Sequence, residues 1–443
     1  MLVFNNTVLK DSDHLDSVGI IEGSVLVVYY LNDGESIDVV LERIQKEAKE
    51  NPLNQAIDSV IQLINKGQSS EVLTTLQSSE DAPTILDRLR LHFTGMPFQA
   101  KTCILVHDLL LQAFRQGIDE STLLSLLHWY QTIISNEKWS WLYSFCSRPE
   151  SGAFPMNASI TLMLEILDEP SHTVPVLSAC TSILVSLASG QLPDASLEVI
   201  TRPTSQRVLL HTIASHTDVT VVSNLLGILT DALRRAPTMV EATDVAAAFA
   251  ALRHVFSTSS SSILLSQSFD FAGLLAANSH FSTAKEWSSV VGLFRPVATL
   301  KDPTLLYRFC VFLKKVAHND SVQRQLVLMG ILEDCITVSS EAMSDVRLQN
   351  VILQLLSLFC NNNEYCVYLT NAGLFEYIQT VLSLQPKESE LFVNALQIYR
   401  SILQSSWICR ERVLSSSFLN DLLTLIRFYV QNASVLVVFL PFL

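Results

Sequence analysis

The sequence predicts an all-α body, a solenoid of stacked helices, preceded by a short β-rich segment. Three observations point to it. From Ser36 onward apolar residues recur at i, i+3, i+4 and i+7, the spacing that gathers them on one face of a helix. Polar breakers such as "DEPSH", "GQLPD", "TSSSS" and "QPKES" separate these runs, with almost no alternating strand pattern between them. Near the C-terminus the pattern repeats: "LMGILEDCITV" is built around Gly330 and "NAGLFEYIQTV" around Gly373, 43 residues on.

Composition agrees. Of 443 residues, 49% are hydrophobic and 16% charged, where an average domain has about 25% charged. That is too apolar for a disordered chain and suits one that buries much of its length. The net charge of −14 disfavours nucleic acid, whose phosphates call for clustered Lys and Arg. The densest basic spots are Arg234–Arg235, Lys314–Lys315 and Arg410/Arg412, doublets without the interleaved aromatics of a nucleic-acid stripe. No secretory leader is visible at the start. The best membrane candidate, Val174–Ala188, contains Pro175 and is shorter than the roughly 20 residues a span needs. It reads as a buried repeat helix, and the expected location is cytoplasmic. None of the eight cysteines (Cys103, Cys146, Cys180, Cys310, Cys335, Cys360, Cys366 and Cys409) forms a CxxC, so buried reduced thiols are expected. Cys360 and Cys366 flank the loop "NNNEY", and no His lies at ligand spacing beside them. Neither a metal nor a cofactor is expected.

Taken in order, the first element is residues 1–32. In "MLVF", Leu2 and Phe4 share one side and Val3 takes the other; in "SVLVVYYL", Leu26 and Val28 oppose Val25, Val27 and Tyr29. Over residues 2–30 the positions of Leu2, Phe4, Leu9, Asp11, Leu15, Ile20, Gly23, Leu26 and Val28 are spaced as in the C-terminal half of the ubiquitin fold, which this segment resembles. The family's first hairpin and main helix are absent, and "YYLNDGES" lacks the Gly-Gly tail of a conjugated tag. The resemblance implies a truncated β-grasp module whose receptor patch falls on Val3, Val27 and Tyr29, with Leu26 and Val28 at core positions. About thirty residues build no stable core alone, so the start is expected to be internal to a longer protein.

Residues 33–96 follow as a helical linker or cap. "SIDVVLERIQKEAKE" places Ile37, Val40, Leu41 and Ile44 on one face, and "NPLNQAIDSVIQLINKG" runs from Pro52 to Gly67, breakers suited to a helix start and end. Residues 97–300 hold degenerate repeats, including "QAKTCILVHDLLLQAFRQG", "STLLSLLHWYQTII" and "VSNLLGILTDALRRA". Residues 301–432 repeat more clearly, and 433–443 form an apolar tail. The long helix of each clear unit ends alike: "LKKVAHN" from Leu313, "LSLFCNN" from Leu356 and "YRSILQS" from Tyr399, each 43 apart. Further back, "LVSLASG" from Leu184 and "LTDALRR" from Leu229 are 45 apart. A period of about 40–47 with two or three helices per unit resembles the armadillo and HEAT repeats. The Gly before each middle helix is expected to make a sharp turn. Armadillo proteins that carry basic peptides use an Asn on each long helix. The matching positions here hold Ser186, Asp231, Lys315, Leu358 and Ser401, so that ladder is missing and an importin-like groove is disfavoured.

Catalytic chemistry finds little support. His107, His128 and His254 sit in apolar helical runs, and His211 and His216 are five apart, missing the i, i+4 spacing of paired ligands. His216 and Asp218 mark a helix start, with Thr217 as candidate cap. Asp119/Glu120 and Glu388/Glu390 read as solvated surface. Trp129, Tyr130, Trp139 and Trp141 read as core, with a binding hot spot as the alternative. The chain is therefore expected to be no enzyme. The two resemblances together imply a protein-binding adaptor of the ubiquitin/proteasome or chaperone type, whose solenoid holds a client while Val3, Val27 and Tyr29 dock on a receptor. The alternative is a scaffold fragment of a larger ubiquitin ligase or deubiquitinase whose catalytic domain lies outside this chain.

Overall fold

The computed structural model describes residues 2–4, 7–9, 27–28, 53–64, 66, 68–79, 81–94, 100–135, 156–188, 194–278, 281, 284–293, 302–404, 407–415, 423–424, 426–429, 432, 435 and 437. These fall into two compact units, Met1–Pro155 and Met156–Leu443.

In the first unit, β1 (Leu2–Phe4), β2 (Thr7–Leu9) and β3 (Val27–Val28) make an antiparallel sheet in the order β2-β1-β3. Leu2 lies opposite Leu9 and Val28, and Val3 opposite Val27. Strands of two and three residues do not amount to a β-grasp domain, and the ubiquitin-like expectation rises no higher than this pairing. Tyr29, Leu26 and the remainder of the resembling segment lie outside the described residues. Helices follow: α1 (53–64), α2 (Ser69–Gln77), α3 (Ala82–Thr94), α4 (Ala100–Arg115) and α5 (Glu120–Ile134). α2 packs on α4, and α3 and α4 on α5. Asp119 is not merely solvated: its carboxylate accepts from the Thr122 N–H at 2.9 Å and caps α5. Trp129 and Tyr130 are fully buried, with Phe93 stacked on Trp129 at 5.6 Å. They are core residues and no hot spot; Trp139 and Trp141 lie outside the described residues.

The second unit is an armadillo-type solenoid. It opens with α6 (Met156–Asp168), then α7 (Val174–Ala188), α8 (Asp194–Thr201), α9 (Pro203–Ser215), α10 (Val219–Arg235), α11 (Val245–Thr258), α12 (Ser262–Ala276) and α13 (Glu286–Val291). The clearer repeats supply long, short and middle helices in rotation. These are α14 (Pro303–Val316), α15 (Asp320–Leu328), α16 (Ile331–Ser339), α17 (Val346–Cys360), α18 (Asn363–Asn371), α19 (Leu374–Leu384), α20 (Ser389–Gln404) and α21 (Trp407–Ser415). Six long helices stack in sequence, α7 on α10, α12, α14, α17 and α20, each packed on the one before. A second layer runs α6, α9, α11, α13. Among the described residues no helix is long and apolar enough to cross a membrane. Val174–Ala188, the sequence's best membrane candidate, is instead the first long helix of the stack.

The stops and starts repeat with the helices. Asp302 and Asp345 cap the long helices, each carboxylate accepting from two backbone N–H groups. Asn319 and Asn362 cap the short helices through their side-chain oxygens, Asn319 accepting from the Ser321 N–H and Asn362 from those of Glu364 and Tyr365. Gly330 and Gly373 precede the middle helices in left-handed conformation, φ 71° and 92°. The sharp turn expected of them is present. Upstream, Asp218 and not Thr217 caps α10, accepting from the Val221 N–H at 2.9 Å. The shorter reach of Asp from one position nearer the helix wins. One buried amide locks successive units: Gln349 Nε2 donates to the carbonyls of Ser339 and Ala342 at 3.1 and 3.0 Å, while the Tyr377 hydroxyl donates to its Oε1.

Two glycines should respond oppositely to one added methyl. A Cβ at Gly373 meets nothing nearer than Glu376 Oε2 at 3.9 Å, so Gly373→Ala should destabilise through its φ alone, by about 1–2 kcal/mol. Gly227 lies inside α10 with open space around its Cβ, so Gly227→Ala should stabilise by up to about 1 kcal/mol. Urea unfolding midpoints decide; shifts of the same sign would refute the backbone assignment.

Candidate functional site

The apolar faces of the long helices are used up in stacking, which turns the opposite face outward. Caps fix where each helix begins, so the same turn of each presents the same position. The sixth residue is Asn224 in α10, Gln267 in α12, Arg308 in α14 and Asn394 in α20; the fifth is Asn350 in α17. These side chains and their neighbours bridge from one long helix to the next. Asn224 Nδ2 donates to Thr181 Oγ1 at 3.2 Å. Asp270 receives both Arg234, at 3.5 Å, and Arg308. Lys315 Nζ donates to the Gly273 carbonyl at 2.9 Å, and Lys314 Nζ to Gln354 Oε1 at 2.8 Å. Asn394 donates to Asn350, which itself donates to Glu390 at 2.8 Å.

A polar ladder therefore runs along this face; of the positions matched to the armadillo Asn, Ser186, Asp231, Lys315, Leu358 and Ser401, Lys315 takes part in it. Asp231, Lys315 and Ser401 lie seven residues beyond Asn224, Arg308 and Asn394, on the same face but two turns later. The sequence shows the face by its period, but the turn at which neighbouring helices meet depends on their caps.

Two cavities open on this face. One of about 400 Å³ is lined from α7, α10 and α12, by Val185, Asn224, Gly227, Asp231, Arg235 and Gln267 among others. One of about 300 Å³ is lined by Asp270, Thr304, Tyr307, Arg308, Val311, Asp345 and Arg347. Both set hydroxyl, guanidinium and carboxylate groups beside apolar side chains, and the larger adds the amides of Asn224 and Gln267. Lys315 is half-buried, and burial holds its pKa below the ordinary lysine value; nearby Lys314 and Arg234 push the same way and Asp270 opposes them.

The other expected positions carry no comparable arrangement. His107 is buried, its Nδ1 3.3 Å from the Asp108 carboxylate and its ring beside Tyr130. Burial, then the Arg90 charge, lowers the His128 pKa. His254 Nε2 meets the His216 carbonyl at 3.1 Å. Among the described residues no three His, Cys, Asp or Glu side chains gather in a way that holds a metal. The described cysteines, Cys180, Cys310, Cys335, Cys360, Cys366 and Cys409, are free thiols and buried. The hydrogen bond with Cys366, and then burial, push the Cys360 thiol well up. Such a thiol is a poor nucleophile. Of the expected docking residues, Val3 and Val27 are Cα partners in the sheet and Tyr29 lies outside the described residues.

Fold and face together define a solenoid of helical repeats, armadillo-like in its rotation of long, short and middle helices. No family model matches the chain, and no curated protein matches it in sequence. Among solved structures, a crystal structure of an engineered protein is similar over 56% of this chain and 98% of its own, at 17% identity and a TM-score of 0.46. A designed armadillo repeat protein is similar over 55% and 99%, at 14% identity and a TM-score of 0.44. A second designed armadillo repeat protein, in complex with the peptide (KR)4, covers 55% and 98% at 13% identity and a TM-score of 0.44.

Asp270 tests the electrostatics. Its bridges are partly exposed, so Asp270→Asn should lower stability by less than about 1 kcal/mol. The same change removes the carboxylate that opposes Lys315's depression. The Lys315 amine should then acetylate faster at neutral pH, as peptide mapping would read. Unchanged Lys315 reactivity would contradict the charge arrangement.

Proposed function

We propose that this is a non-enzymatic binding protein whose long-helix face takes up an extended segment of a partner polypeptide. The observation that carries the reading is the ladder from Asn224 to Asn394, with its two cavities. Amides and guanidiniums, half-buried from Asn224 to Asn350 and buried at Asn394, recur at each helix step, at a period an extended backbone can follow. A main chain supplies N–H and C=O groups at regular intervals, whatever its sequence. Spare donors of Arg and Asn are suited to meet them.

An unbiased displayed-peptide library, selected on the full chain, tests it. Gly227 borders the larger cavity with open space around its Cβ, so Gly227→Trp should fill the face while leaving the thermal melt in place. Selected peptides should lose at least about tenfold in affinity, an amount equal to 1.4 kcal/mol. Selection of peptides indifferent to this substitution would sink the reading.

The finer reading is an adaptor of the ubiquitin/proteasome or chaperone type, docking through its N-terminal strands. It is supported by the strand order β2-β1-β3 and by Val3 opposite Val27. Replacing Val3, Val27 and Tyr29 by Asp should abolish binding to a purified ubiquitin-receptor domain and leave the second unit's melt unchanged. Retained binding would remove the docking role and leave the solenoid reading intact.

A further inference from the structure

We infer that the larger cavity on the long-helix face holds a neutral aromatic side chain with a hydrogen-bond donor, a tyrosine or tryptophan of the bound segment. This rests on the docking reading above and names the group that anchors the segment. The first observation is a gap. Ser223, Gly227, Asp231 and Arg235 stand at every fourth position of α10, the spacing that sets side chains in one row along a helix. Gly227 interrupts that row, and a Cβ there would meet nothing within 4 Å. Neither close packing nor a positive φ calls for glycine at this point inside the helix, where alanine would hold the helix better. What the missing side chain does provide is a notch in the wall of a cavity of about 400 Å³.

The lining around the notch is apolar and, in charge, balanced. Val185 and Ala188 come from α7 and Ile228 from α10. The cavity's two charged groups close on each other: Arg235 Nε lies 3.0 Å from the Asp231 carboxylate one turn away. A charged occupant would therefore find no unmatched counter-charge to repay its lost hydration. Cavities of a few hundred Å³ with an apolar lining and a few fixed polar groups are the usual form of a pocket for one compact ligand group. A ring suits this one, because it fills space with few rotatable bonds and lays a flat face over the bare Gly227 backbone. The ion pair also holds the Arg235 guanidinium at the edge, where its plane can stack on the ring.

The hydrogen bonds left open specify a donor on that ring. Asn224 commits its Nδ2 to the Thr181 and Ser182 hydroxyls at 3.2 and 3.4 Å, which leaves its Oδ1 to accept. Gln267 reaches the same cavity from α12, and its Oε1 is buried without a partner. A buried acceptor without a donor is unfavourable, so a donor carried into the cavity gains by meeting it. The last torsion of a glutamine side chain is soft enough to present that oxygen. The tyrosine O–H and the tryptophan N–H supply such a donor without charge, whereas phenylalanine and leucine supply none.

Fluorescence anisotropy on the full chain tests this, with a labelled Gly/Ser peptide carrying one central Tyr, Trp, Phe, Leu, Glu or Lys. The Tyr and Trp peptides should bind at least about tenfold tighter than the Leu peptide, with Phe about three- to tenfold weaker than Tyr. Added salt should change the Tyr affinity by less than about twofold, since the occupant is neutral. Gly227→Ala puts one methyl in the notch, so it should weaken the Tyr peptide about three- to tenfold while raising the unfolding midpoint. That pairing separates lost binding from lost folding. Gln267→Leu removes an acceptor and should narrow the difference between the Tyr and Phe peptides. Tyr and Trp peptides that fail to bind at millimolar concentration, or that bind no tighter than Leu, Glu or Lys, would overturn the inference. A Tyr peptide indifferent to Gly227→Ala would do the same. If library-selected peptides without Tyr or Trp bind in a manner blocked by Gly227→Trp, only this inference falls. If Gly227→Trp leaves every peptide unaffected, the docking reading falls with it.

Discussion

No helix of the second unit can cover its own apolar side, and the helix one repeat along covers it. Every other feature of the unit follows from that nearest-neighbour burial. Phe309 and Phe312 of α14 lie against Phe269 of α12, with ring centroids at 5.2 and 6.0 Å. Leu353, Leu355 and Leu356 of α17 are fully buried in the same stack. Because each interface is built from one repeat and the next, stability in such an array is close to a sum of unit and interface contributions. The starting residue of each helix then matters, since a shift of one position would rotate its apolar stripe away from the neighbour by about 100°. Asp302, Asp345, Asn319 and Asn362 hold those starting points.

Polar groups inside the stack sharpen this register. Gln349 has its amide and carbonyl satisfied by Ser339 at the end of α16, by Ala342 just after it and by Tyr377 of α19. A buried amide left without these partners would cost about 1–3 kcal/mol, so neighbouring units that slipped would be penalised. Gln206 plays a similar part upstream, donating to the Thr201 carbonyl at 2.7 Å and accepting from the Thr243 hydroxyl at 2.6 Å. Between the two regions the repeat is less regular, and aromatic packing carries it. Trp287 sits between Phe249 and Phe312, at 4.7 and 5.5 Å, with its indole N–H donating to the Phe281 carbonyl.

The face left outward by the stacking is polar, but it is not ordinary surface. Its side chains hydrogen-bond across helices at about one repeat's separation, which holds them in place before any ligand arrives. Groups held in this way lose less entropy on binding than free surface lysines or arginines would. The same stacking sets Arg234 of α10 and Arg308 of α14 on one carboxylate of α12. Free helices would have no reason to do so.

Much of the architecture was legible in the sequence because it rests on local chemistry. Apolar period, polar breakers and the recurrence of Gly330 at Gly373 are enough to predict helices stacked every 43 residues, since each signal acts within a few positions of itself. The N-terminal strands are partly legible for the same reason. The polar face was legible only as a face. The armadillo spacing points to Asp231, Lys315 and Ser401, while Asn224, Arg308 and Asn394 occupy the same side two turns earlier. Helical period fixes the side of the helix; the turn that meets a neighbour depends on how two helices dock. The sequence likewise shows Arg234–Arg235 and Lys314–Lys315 as separate doublets in an acidic chain. Only the tertiary structure brings them to opposite sides of α12, because their proximity comes from helix stacking across two repeats and from nothing within either doublet.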